Sequence, residues 1–228
     1  MTKLVKLIDN SKTDKNTTHS YIDSYEKLFH KIKDNKLNIL EIGIGEPHKD
    51  NKNGGSIKLW HDYFTSSIIY TIDIIKNSEI SQEILNKDRI KIFSEQDAYD
   101  KKFIKNNFID KNINFDIIID DGPHTLKSMK FFVKNYLPLL NDKGIMVVED
   151  IQKIKWIDIL INSIPSHIYD NVTFKTIDLR KEKNRYDDIL FVIKKKKLIK
   201  KSKEKYSDNI IPEFNLIKDD AIDNLFSY

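Results

Sequence analysis

Two short runs in this chain end an apolar stretch on groups that can do chemistry. Ile117-Ile118-Ile119 is followed at once by Asp120, Asp121, Gly122, Pro123 and His124, and Val147-Val148 is followed by Glu149 and Asp150. Carboxylates clustered in the absence of thiolates suit Mg²⁺ or another hard divalent cation. Asp121, Glu149 and Asp150 are therefore the candidate metal ligands. Helix capping is the competing role for such acids. His124, three residues beyond Asp121, is the candidate general base, because an imidazole titrates near pH ~6.5 when unperturbed.

A second set of residues suits a nucleotide-like cofactor. Glu41, Gly43 and Gly45 close an apolar run, and Gly54-Gly55 precede Ser56 and an amphipathic segment. Glycines let a ligand approach the backbone closely, and a helix start beside them favours a charged ligand. Asp73, after the next apolar run, is placed to hold ribose hydroxyls. Gln96 and Asp120 complete the candidate cofactor set. A dinucleotide fingerprint is absent, since His48 stands where the third glycine would fall.

These residues need a scaffold that gathers strand ends on one edge. The apolar runs LNILEIGIG, SIIYTIDII, KIFSEQD, FDIIIDDG and GIMVVEDI have strand length, and helix-length segments separate them. In GSIKLWHDYF, Ile57, Trp60 and Phe64 fall at helical spacing. In HTLKSMKFFVKNYLPLL, Leu126, Met129, Phe132 or Val133, Tyr136 and Leu140 share a face. Alternation of this kind predicts a mostly parallel α/β sheet with helices on both faces. Its ligands bind beyond the carboxyl ends of the strands. VTFKTIDL and DDILFVIKK stand close enough for an antiparallel hairpin. Asn141–Gly144 reads as a turn, and SYIDSYEKLFHKI as a helix capped by Thr18 or Ser20. The expected organisation is an N-terminal helical segment over 1–35, a catalytic domain over 36–196 and a basic tail over 197–228.

Composition narrows the class. The 228 residues are 39% hydrophobic, enough for one sizeable core, and contain no cysteine. No apolar run approaches the roughly 20 residues of a membrane helix, and MTKLVKLIDNSK lacks a signal-peptide core, so the sequence predicts a soluble cytoplasmic protein. The net charge of +4 comes from abundant lysine with arginine only at positions 89, 180 and 185. That pattern disfavours a phosphate-reading surface, and nucleic acid is not an expected partner.

NILEIGIG…GGSIKLWHDYF…IYTIDI, with FDIIIDDGPHTL and GIMVVEDI, resembles the class I S-adenosylmethionine-dependent methyltransferases. Within them it resembles the metal-dependent O-methyltransferases of macrolide deoxysugars and the related cephalosporin-biosynthesis group. TDKNTTHSYIDSYEKLF is similar to the stretch before the first strand in those families. The resemblance implies a Rossmann-like, doubly wound sheet of seven strands, mostly parallel with an antiparallel last strand. It also implies S-adenosylmethionine as donor, Mg²⁺ as cofactor, a sugar or glycoside hydroxyl as acceptor, and the site roles given above. A catechol-type O-methyltransferase, an NAD-dependent sugar-modifying enzyme and a non-catalytic basic binding module are the alternatives. Assembly into a homo-oligomer is left open.

Overall fold

The computed structural model describes residues 3–45 and 53–197. They belong to one compact unit, which takes in the N-terminal segment as well as the sheet. The predicted tail, from residue 198 onward, lies outside the described residues. So does most of the loop between Gly45 and Asn53, including His48.

Seven strands form one sheet: β1 (Asn38–Ile42), β2 (Ile68–Ile72), β3 (Ile90–Phe93), β4 (Phe115–Asp120), β5 (Leu140–Val148), β6 (Val172–Asp178) and β7 (Ile189–Lys195). Their order is β3-β2-β1-β4-β5-β7-β6. β1 to β5 run parallel, β7 runs antiparallel to β5, and β6 runs antiparallel to β7. The expected doubly wound sheet and terminal hairpin are both present. The longer helices are α1 (Ile22–Phe29), α2 (Gly55–Tyr63) and α5 (Leu126–Tyr136). Short helices α3 (Gln82–Leu85), α4 (Lys101–Ile104), α6 (Trp156–Ile161), α7 (Ser166–Tyr169) and α8 (Arg180–Lys183) fill the connections.

The three isoleucines of β4 are buried because both faces of the sheet are covered. Ile117 and Ile119 pack with Trp60, Phe29 and Tyr25 under α1 and α2, while Ile118 packs with Phe132, Phe108 and Met129 under α5 and its neighbours. α5 gives way after Tyr136 to a 3-10 turn over Leu137–Leu139, because Pro138 has no N–H with which to continue the α-helical hydrogen bonding. Leu140, read from its spacing as part of the helix face, instead opens β5.

Two local expectations change. Asn141–Gly144 is not a free turn but an irregularity inside β5. β4 advances from Phe115 to Ile117 while β5 advances from Leu140 to Ile145. The left-handed residue there is Lys143 (φ 64°) rather than the glycine. α1 begins at Ile22 with no side-chain cap, and the Ser20 N–H instead donates to Asp188 Oδ1 at 3.2 Å.

The register carries the site. Ile42 lies beside Asp120, and Asp120 beside Val148, so the ends of β1, β4 and β5 are level. Gly43 follows β1 at φ 99°, and a Cβ there would meet the Asp121 carbonyl oxygen at 2.2 Å. Gly43→Ala should therefore lower the unfolding free energy by at least ~1–2 kcal/mol, the cost of a left-handed non-glycine residue before any clash. Urea denaturation of both proteins would measure it.

Candidate active site

Side-chain alternation decides which acids meet. Glu41 pairs with Ile119, and Ile119 with Val147. Asp121 is two residues beyond Ile119 and Glu149 two beyond Val147, so Glu41, Asp121 and Glu149 all belong to the α1/α2 face. Asp120 belongs to the opposite face. It is buried there and accepts from the Tyr99 hydroxyl at 2.5 Å.

The positive charge that meets the three acids comes from the N-terminal segment. Lys15 is 1% exposed. Its Nζ lies 2.5 Å from Glu149 Oε2, 2.8 Å from Asp121 Oδ2 and 3.6 Å from Glu41 Oε1. Burial opposes the charge on Lys15, but Asp121, Glu149 and Glu41 together outweigh it and hold the ammonium well above the usual lysine range. Two phenols come from the same side: Tyr25 of α1 donates to Glu149 Oε1, and Tyr21, just before the helix, donates to Asp150 Oδ1. The segment before α1 that carries Lys15, a strap across the strand ends, is fastened from outside by Lys183, whose Nζ donates to the carbonyls of Asn16 (2.5 Å), Thr17 (3.1 Å) and His19 (2.6 Å).

Asp150 leaves the alternation. Its backbone is left-handed (φ 54°), as is that of His124 (φ 51°). Non-glycine residues held in that region are uncommon and cluster at functional sites. The His124 Nε2 lies 3.2 Å from Asp121 Oδ1 and 3.3 Å from Asp150 Oδ2. One donor atom from each of Asp121, His124 and Asp150 falls within 4.8 Å of the others, and among the described residues this is the group that could hold a metal ion. Two carboxylates and an imidazole are a donor set that divalent cations accept. Of the three acids singled out in the sequence, Asp121 and Asp150 converge. Glu149 has its oxygens on Lys15 and Tyr25.

The charges differ in environment. Burial opposes ionisation of Asp121, yet Lys15 and His124 bring it down to about 2. Burial pushes Glu149 well up in spite of Lys15, and raises Asp150 with help from Asp121. Burial lowers His124, but its hydrogen bond to Asp121 and the charge of Asp150 carry it above the ordinary imidazole value. Asp120 is pushed up to about 6 by burial, against the Tyr99 hydrogen bond.

The cofactor candidates separate into structural and accessible groups. Glu41 is fully buried, accepting from Ser56 Oγ at 2.6 Å and from Trp60 Nε1, so Glu41 and Ser56 tie β1 to α2. Asp73 accepts from the backbone N–H groups of Ile44 (2.6 Å) and Ile75 (3.1 Å), which shapes the loop after β1. A carboxylate has about four lone-pair sites, so further acceptors remain on Asp73. Gly43 and Gly45 (φ 99° and 110°) begin that loop, and among the described residues a Cβ at Gly45 would meet Asn53, at 3.5 Å. Gln96 is exposed, and its backbone N–H donates to the Asp73 carbonyl at 3.1 Å. The edge thus brings together Gly43, Gly45, Asp73 and Gln96 on one side and Asp121, Asp150 and His124 on the other.

Sequence reasoning missed Lys15, His19, Tyr21 and Tyr25. His19 Nδ1 lies 3.2 Å from Asp150 Oδ1 and 3.3 Å from Asp188 Oδ1, and its ring stacks on Tyr21. One signal was present: Tyr21, Tyr25 and Phe29 recur at four-residue spacing on the predicted helix.

The fold is that of the class I methyltransferases. MycE methyltransferase from the mycinamycin biosynthetic pathway, solved in complex with Mg and SAH, superposes with a TM-score of 0.67. It is 20% identical, over 90% of this chain and 58% of that one. In sequence the chain is similar to sugar O-methyltransferases. It is 29% identical over 144 residues to the 8-demethyl-8-alpha-L-rhamnosyl tetracenomycin-C 2'-O-methyltransferase of Streptomyces olivaceus, covering 63% of this chain and 36% of that enzyme. It is 28% identical over 132 residues to the L-olivosyl-oleandolide 3-O-methyltransferase of Streptomyces antibioticus, covering 58% of this chain and 32% of the relative. The match thus spans about a third of the length of these relatives. No family model matches the chain. Among the described residues, no helix is long and apolar enough to cross a membrane.

Asp120 gives a test of these electrostatics. A folded-state pKa raised to about 6, against an ordinary 3.8, means that the folded chain takes up a proton before the unfolded one. Between those values this group makes stability rise as pH falls. Asp120→Asn should remove that contribution, so the stability difference between variant and wild type should change across pH 6 to 4 and level off above it. Urea denaturation at stepped pH would show this; a constant difference would contradict the assignment.

Proposed function

We propose that the chain is a metal-assisted O-methyltransferase that moves a methyl group from S-adenosylmethionine to a sugar hydroxyl on a glycan or glycosylated small molecule. The observation that carries this reading is the convergence of Asp121, Asp150 and His124 at the carboxyl edge, next to the glycine loop held by Asp73. The names of the relatives supply the acceptor class. A cytoplasmic location goes with an intracellular donor of this kind.

Asp121 and Asp150 would hold a divalent ion, and His124 is favoured as third donor because its Nε2 already sits between their oxygens. As a ligand His124 would be neutral and would no longer serve as the free base that the sequence suggested. When bound, such an ion supplies Lewis-acid chemistry, lowering the pKa of an acceptor hydroxyl. The glycine loop and Asp73 would hold the donor, with Asp73 accepting from its ribose hydroxyls through its remaining lone pairs. Gln96 would border the adenine. The chain's own contribution to transfer is chiefly placement, because level strand ends fix the two half-sites relative to each other. The buried Tyr21 phenol, held protonated by burial and by Asp150, keeps the Asp150 carboxylate oriented.

Chelator should abolish methyl transfer to a glycoside acceptor while leaving calorimetric binding of S-adenosylmethionine intact. Transfer at full rate in chelator would overturn the metal reading. Asp73→Ala should weaken donor binding by ~1–3 kcal/mol, the usual loss of a charged hydrogen-bond partner. His124→Ala should weaken Mn²⁺ binding together with turnover. If turnover alone falls, typically by about 10²–10⁴, His124 is the base rather than a ligand.

A further inference from the structure

His19 Nδ1 lies 3.2 Å from Asp150 Oδ1 and 3.3 Å from Asp188 Oδ1, and the residue is buried. Ionised carboxylates only accept, so the Nδ1 hydrogen is shared between the two acids. Asp150 follows β5 and Asp188 precedes β7, and these strands are antiparallel neighbours. One imidazole from the strap therefore bridges two strand ends. It grips Asp150 on one oxygen only. Oδ1 takes the Tyr21 hydroxyl and the His19 ring, while Oδ2 is left facing His124 at 3.3 Å. We propose that His19 is a positioning residue for Asp150, and that Asp188 and Lys183, from the connection between β6 and β7, hold His19 in place for that task.

The β6–β7 connection meets His19 at two points. Lys183 Nζ donates to the His19 carbonyl at 2.6 Å, and Asp188 Oδ1 faces the ring nitrogen while also accepting from the Ser20 N–H at 3.2 Å. The ring stacks on Tyr21 with centroids 4.8 Å apart, which fixes its plane. Its other nitrogen, Nε2, faces Asp14 Oδ2 at 3.7 Å. Asp188 is fully buried, and among the described residues its Oδ2 has no hydrogen-bond partner. Burying a carboxylate is unfavourable unless it is paired. The hydrogen bonds that the Asp188 side chain accepts both come from the strap, so its burial is explained by what it holds there, the His19 ring and the Ser20 N–H. The chain of contact runs from Asp188 through His19 to Asp150, and fixes which Asp150 oxygen is turned toward His124.

The proposal rests on the metal reading above, and Mn²⁺ affinity of the full chain, read by electron paramagnetic resonance of the free ion, separates the two. His19→Leu should weaken Mn²⁺ binding roughly 10–100-fold, the usual effect of removing a group that orients a metal ligand. Calorimetric binding of S-adenosylmethionine should be unchanged. His19→Asn, whose side-chain amide can donate in place of Nδ1, should recover most of the loss. Lys183→Met, at an exposed position, should shift Mn²⁺ affinity in the same direction by a smaller factor. Equal Mn²⁺ affinity in wild type and His19→Leu would overturn the proposal and leave the metal reading standing. Absence of Mn²⁺ binding in wild type would overturn both. A parallel loss of Mn²⁺ and donor binding, or a His19→Asn protein as weak as His19→Leu, would make His19 a packing residue and overturn its positioning role. If His19→Leu does not fold, Asp188→Asn and Lys183→Met carry the test, and wild-type Mn²⁺ affinity in both would overturn the proposal.

Discussion

Glu41, Asp121 and Glu149 reach one side of one sheet because strands in register place alternate residues on the same face. Acids held that close repel one another, and the buried interior magnifies the repulsion. The ammonium of Lys15 answers it, entering from a segment that precedes the sheet in sequence and packs across its carboxyl edge. Much of the site follows from that contact. It fixes the N-terminal strap over the strand ends, engages one oxygen of Glu149 and splits Asp121 between an inner and an outer neighbour.

The strap also explains why the start of α1 and the residue before it carry tyrosines rather than purely apolar residues. Tyr21 and Tyr25 contribute rings to the core packed around Phe29 and Trp60, and their hydroxyls end on Asp150 and Glu149. Burial raises both phenols, so each stays a donor toward a carboxylate. Phenylalanine would fill the same space and leave a buried carboxylate oxygen one partner short. Packing and polar satisfaction are therefore supplied by the same side chains, which makes the strap an integral part of the domain rather than an appendage.

The edge divides its work between backbone and side chains. On the β1/β2 side, Gly43 lets the backbone after β1 pass close to the Asp121 carbonyl, and Asp73 holds the Ile44 N–H. On the β4/β5 side, the left-handed residues His124 and Asp150 redirect side chains that regular extension would have sent elsewhere. Glu41 and Ser56, expected beside the cofactor, join β1 to α2 through their own hydrogen bond.

The sequence by itself determined the sheet and the edge on which its acids collect. Uninterrupted apolar runs such as Ile117–Ile119 can be satisfied only by burial on both faces, and the acids that follow them must then collect at the strand ends. Asp121, Asp150 and His124 were legible for that reason, because each sits within a few residues of a strand it terminates. Contacts between distant segments were not legible. Nothing local marks Lys15 as buried among many exposed lysines, and its partners lie 26, 106 and 134 positions away as numbered along the chain (Glu41, Asp121 and Glu149). That Glu149 faces Lys15 while His124 faces Asp150 likewise depended on tertiary structure. Alternation sends Glu149 inward to the strap, while left-handed backbone at His124 and Asp150 turns those side chains toward Asp121. Periodicity is a property of neighbours in sequence. Charge compensation in a buried cluster depends on which elements the completed fold brings within reach.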